Sequence, residues 1–150
     1  MTDSAKSAAG FDPSAFEGIL GKLGHGGHLG MRYRAHGTGW VEMELPYSER
    51  LVGDAESGII ASGPIISLMD NATSLSVWTA IGEFRPQVTL DLRVDYMRPA
   101  TPGKAVIGRG ECYKVTRSMA FVRGIAHDGD PDDPVAHVAG TFIRVDNFLG

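Results

Sequence analysis

Residues 58–80 read GIIASGPIISLMDNATSLSVWTA, a run of apolar and small residues interrupted by one ionisable side chain, Asp70. The stretch predicts a long helix that starts at Ser62 or Gly63, carries Pro64 near its first helical position and stops before Gly82. A helix that is apolar all round is a buried helix. Burying an ionised carboxylate is costly unless partners hold it. Three and four positions from Asp70 stand Ile66, Ser67, Thr73 and Ser74, so hydroxyls can reach it and no base can. Two readings follow: an acid kept for chemistry, or a polar-edge residue hydrogen-bonded to Ser67 or Thr73.

Downstream, Val88, Leu90, Leu92, Val94 and Tyr96 alternate with Thr89, Asp91, Arg93 and Asp95, which predicts a strand over about 88–97. After the turn at 98–103, three more strand-like runs occupy about 104–116, 119–128 and 135–146. Gly108, Gly110, Gly124 and Gly140 fall inside them, and interior strand glycines mark bends or close approach of another backbone. Upstream, Asp12 and Pro13 cap a helix over about 13–23, with Gly24–Gly30 as a loop. Strands over about 29–36 and 39–46 flank the Gly37–Gly39 turn, and 47–62 is loop-rich with a turn at Gly53–Asp54. Residues 1 to about 10 read as a flexible terminus. The economical assembly is one α+β domain over 1–150, an antiparallel sheet curled around the central helix.

The chain has 150 residues, enough for one well-filled core and too few for two ordinary domains. Its net charge of −4, with no Lys/Arg cluster, speaks against nucleic acid as a partner. Cys112 is the single cysteine, so no intramolecular disulfide forms, which suits a reducing cytoplasm. Residues 1–10 hold no apolar leader core, and no run reaches the roughly 20 apolar residues of a membrane span. A cytoplasmic protein with no membrane partner is expected.

The helix segment GPIISLMDNA, the strand end Tyr96-Met97-Arg98-Pro99 and the following Pro102-Gly103 together resemble the hotdog-fold acyl-CoA thioesterases, specifically the PaaI-like group. The resemblance spans about residues 30–145. It implies the hotdog fold, hydrolysis of an acyl-CoA thioester, and an active site shared between subunits of a homodimer or homotetramer. Asp70 falls at the family's catalytic carboxylate, and Thr89 at a supporting Ser/Thr position. Arg98 and Arg117 are candidates for the substrate, Arg117 matching a basic position near the CoA phosphates. Neither a cofactor nor a metal is implied.

The chain also departs from the pattern. Relatives usually carry His-Gly-Gly before the helix; here Ala61-Ser62-Gly63 stands there, and an upstream Asn position holds Ala55. The resemblance puts the oxyanion hole at the helix-start amides of Ser62 and Gly63, where backbone N–H groups and the helix dipole stabilise a developing negative charge, and Ser supplies an amide as well as Gly does. Asp70 is then nucleophile or general base.

The literal His25-Gly26-Gly27 precedes a short strand and reads as a structural loop rather than half of a metal site with His28. Residues 128–133, DGDPDD, read as a solvated hairpin tip without the spacing of a calcium loop. Cys112 has no neighbouring His to activate it, and Trp40 and Trp78 read as packing. The losses at Ala61 and Ala55 keep a second function open: a non-catalytic hotdog protein that binds acyl-CoA, or a silent partner of an active paralogue. A hotdog dehydratase pairs its acid with a His, and none lies between His36 and His127.

Overall fold

The computed structural model of the chain describes residues 11–20 and 22–145. A 3-10 turn at Pro13–Phe16 runs into a single helical turn, α1 (Glu17–Leu20), and Asp12 caps it through a 2.9 Å bond from the Ser14 N–H. The helix read over 13–23 is therefore broken, and the segment read as a Gly24–Gly30 loop is instead a short helix, α2 (Gly24–Leu29). Glycines are poor helix formers, so the reversal comes from tertiary anchoring: Met31, just beyond α2, is fully buried in the core and Leu29 packs against it. The expected terminus at 1–10 lies outside the described residues.

Strands β1 (Arg32–Gly37) and β2 (Trp40–Leu45) form the expected hairpin. The loop-rich segment contains a 3-10 turn and a minimal hairpin, β3 (Val52–Asp54) with β4 (Ile59–Ile60). Helix α3 (Ser62–Ile81) follows and ends at Gly82, whose φ of +77° is the left-handed cap that glycine adopts freely. Strands β5 (Gln87–Tyr96), β6 (Val106–Val115), β7 (Met119–His127) and β8 (Ala136–Arg144) complete a six-stranded antiparallel sheet in the order β1-β2-β6-β7-β8-β5.

Helix α3 lies across one face of this sheet. A Cβ on Gly108 would sit 2.9 Å from the Leu68 side chain, and one on Gly110 only 2.4 Å from the backbone of Ala72. The strand glycines thus mark where the helix presses onto the sheet. Ile65, Leu68, Met69, Ala72 and Leu75 fill that contact and are all buried. The helix is not buried all round, however: Ser62, Gly63 and Ile66 are exposed, and Ser67, Asp70, Asn71 and Ser74 are half-buried. Its sheet-averted side is open in one chain.

Candidate active site

Asp70 stands on that open side, and its partner is neither Ser67 nor Thr73. The Thr89 hydroxyl of β5 donates to Asp70 Oδ1 at 2.8 Å, while the Thr73 hydroxyl turns back to the carbonyls of Met69 and Asp70. Asp70 has no ion pair among the described residues. The alternation of β5 places Thr89 on the face opposite Leu92, Val94 and Tyr96, so a regular strand would aim it away from α3. A bulge corrects this. Thr89 pairs with Phe142 and Asp91 with Thr141, leaving Leu90 as the extra residue. One inserted residue reverses the parity of everything before it.

With the bulge in place, β5 is stitched to α3 at three levels. Gln87 Nε2 donates to the Ser74 hydroxyl and carbonyl at 2.8 and 2.9 Å, Thr89 donates to Asp70, and the Tyr96 hydroxyl donates to the Ser62 carbonyl at 3.0 Å. Burial pushes the Tyr96 phenol up, keeping it a neutral donor. At the helix start, Ala61 occupies the N-cap with no side-chain hydrogen bond. The first amides of a helix have no partner within it, and no cap side chain claims those of Ser62 and Gly63, both exposed residues.

The two arginines fare differently. Arg98 donates to both oxygens of Asp128 at 2.6 and 2.9 Å and to the Asp133 carbonyl at 2.8 Å. It is committed to pinning the β7–β8 turn, which tells against the expected substrate role. Asp128, read as part of a solvated tip, is buried, and Arg98 and the Thr101 N–H hold its carboxyl well below the usual range. Arg117 is exposed in the β6–β7 turn and pairs with no carboxylate among the described residues.

Sequence reasoning missed the other flank of α3. His25 Nε2 lies 2.8 Å from the Ser67 hydroxyl oxygen, one helical turn before Asp70. Asn71 donates to the Ser67 carbonyl at 2.9 Å and to Met31 Sδ at 3.6 Å. No local pattern announces these contacts, because they depend on where α2 lands. Among the described residues of one chain the imidazole meets Ser67 and the acid meets Thr89, so no acid–histidine pair forms within it. Cys112 packs into a small cluster with Val77 and Phe142, and burial pushes its thiol up, away from nucleophilic use. Trp78 packs between Phe11 and Phe84, as its packing assignment anticipates.

The model of the thioesterase superfamily matches residues 57–135, just over half of the chain. The chain belongs to the thioesterase superfamily. A crystal structure of a Pseudomonas aeruginosa protein is similar over 86% of this chain and 96% of its own, at 41% identity and a TM-score of 0.77. PaaI of Thermus thermophilus, a phenylacetic acid degradation protein solved as a single-residue variant, is 26% identical over 79% of this chain and 96% of its own, with a TM-score of 0.68. A curated Haemophilus influenzae protein that carries the name of an esterase is 29% identical over 77 residues. The thioesterase-superfamily chain spans about half of that relative's length (54%). Its α+β architecture, a curved antiparallel sheet against one long helix, is the hotdog fold that the sequence resembles.

Proposed function

We propose that this protein hydrolyses acyl-CoA thioesters to the free acid and CoA, at a site built from two copies of the chain. The observation that carries the reading is Asp70, held by Thr89 on the open side of α3 and paired with no cation among the described residues. The Ser62 and Gly63 amides take the thioester carbonyl oxygen, and its developing charge is stabilised by N–H donors and the helix dipole. Asp70 attacks the carbonyl carbon or takes a proton from the water that does. As base, Asp70 passes the proton collected from water to the CoA sulfur as the C–S bond breaks. As nucleophile, it forms a mixed anhydride while CoA leaves as thiolate, and water then hydrolyses the anhydride to release the acid and restore Asp70.

Helix geometry supports the two-chain site. Ser62 and Asp70 are eight residues apart, about 12 Å along the axis at 1.5 Å per residue. Reacting groups must approach to about 3–3.5 Å. The amides of one chain therefore serve the Asp70 of another. Strand β5 offers the joint, being one of the two edge strands of the sheet, with Val88 (38%) and Leu90 (59%) exposed on it and Met97 (61%) exposed just beyond its end. An unpaired edge of that length invites pairing with a second copy. Arg117 is free to meet the CoA phosphates, and the lone Cys112 and acyl-CoA chemistry suit a cytoplasmic setting.

A panel of acyl-CoA esters, with released CoA read by a thiol reagent, tests the reading. Turnover above buffer with at least one ester is expected. Ala61 favours one competitor, since the N-cap there offers no side-chain donor to the thioester: a hotdog protein that binds acyl-CoA without cleaving it. Binding of the esters with no turnover anywhere in the panel would select that competitor.

A further inference from the structure

We propose that His25 is a positioning residue for this hydrolysis: through the Ser67 hydroxyl it places the water consumed beside Asp70. The inference rests on the hydrolytic reading above. Ser67 and Asp70 are three positions apart on α3, so their side chains are neighbours on one face, with Cβ atoms about 5–6 Å apart. They come from the same chain whichever copy supplies the amides. Thr89 occupies Asp70 Oδ1, which leaves Oδ2 as the oxygen that can take a proton from water. A water there needs a second anchor, and the Ser67 hydroxyl, three positions before Asp70 on the same helix and half-buried like it, stands where it can supply one.

That hydroxyl is not left to rotate freely, because His25 Nε2 stands 2.8 Å from it. The contact is not an accident of a well-formed helix. Segment GHGGHL is glycine-rich, its N-cap Leu23 makes no side-chain bond, and α2 has no buried residue of its own. What fixes it over α3 is the fully buried Met31, onto whose sulfur Asn71 donates, and the His25–Ser67 bond itself. Asn71 also bonds the Ser67 carbonyl, so both ends of Ser67 are engaged from the two sides of the open stripe. When His25 accepts the Ser67 proton, the hydroxyl oxygen keeps its lone pairs for the hydrogen of a water. When it donates, Ser67 turns its own proton to the water oxygen.

The test is the steady-state kinetics of His25→Ala, Ser67→Ala, the double variant and His25→Gln on the best acyl-CoA ester, beside Asp70→Asn and thermal midpoints. Each alanine variant should lower kcat about tenfold with KM within twofold of the parent. The double variant should fall no further than either single, and His25→Gln, whose amide can still reach Ser67, should recover at least half of the rate. Unchanged kcat in His25→Ala and Ser67→Ala, with Asp70→Asn inactive, overturns the role of His25 and leaves the hydrolytic reading standing. Losses that multiply in the double variant, or that fall on KM alone, overturn it as well. A parent chain with no turnover overturns both.

Discussion

Among the described residues, Thr89 gives Asp70 its one hydrogen-bond partner from outside α3, across a distance of 2.8 Å. Thr89→Val keeps the shape and removes the hydroxyl, so hydrolysis should fall about tenfold, near the lower end of what a hydrogen bond to a charged group contributes. Thr89→Ser should retain most of the rate in the same assay. A second carboxylate works for stability rather than chemistry. Asp128 is 6% exposed and held by Arg98 and the Thr101 N–H, chiefly Arg98, well below its ordinary value. A carboxyl whose folded-state pKa is depressed contributes its stability above the unfolded value, about 3.9, and loses it as pH falls through and below that value. Asp128→Asn should cost about 3 kcal/mol at pH 7, since it removes the buried, bidentate partner of Arg98 and leaves only the exposed Asp133 carboxylate at 3.2 Å. Denaturant melts at pH 7 and pH 3 should show the gap between the two proteins narrowing at the lower pH.

At the scale of elements, the bulge in β5 governs the site. Deleting Leu90 restores strict alternation and turns Gln87 and Thr89 away from α3, while Leu92 and Val94 keep their places against the core. The variant should fold, with a lower thermal midpoint, and lose nearly all hydrolysis; full activity would show that the bulge has no bearing on Asp70. The sequence makes the two ends of this arrangement legible and hides what joins them. The apolar run with Asp70, the Gly82 stop and the glycines under the helix all carry local signatures of period, cap or close approach. The bulge carries none, because any strand reading of 88–97 assumes unbroken parity, so Thr89 enters through the family resemblance alone. Segment 24–30 fails for a different reason. Its glycines speak for a loop, and burial of Met31 beyond it overrides that propensity. Arg98 reads as a strand-end cation, and only the fold brings Asp128 to it across 30 residues.

For the whole molecule, the proposed mechanism requires assembly, because its amides and its acid lie about 12 Å apart along one helix. Light scattering at micromolar concentration should give a mass of two or four chains; a mass of one chain, with hydrolysis intact, would contradict a site shared between copies. The sheet fits both demands of the proposal, packing α3 across one face through β2, β6 and β7 and leaving β5 at an edge. The most direct measurement compares the parent chain with Asp70→Asn on the acyl-CoA panel, with thermal midpoints taken in parallel. The substitution is nearly isosteric and removes both nucleophile and base, so at least about 99% of turnover should vanish at an unchanged midpoint. Near-parental turnover in Asp70→Asn would contradict the account.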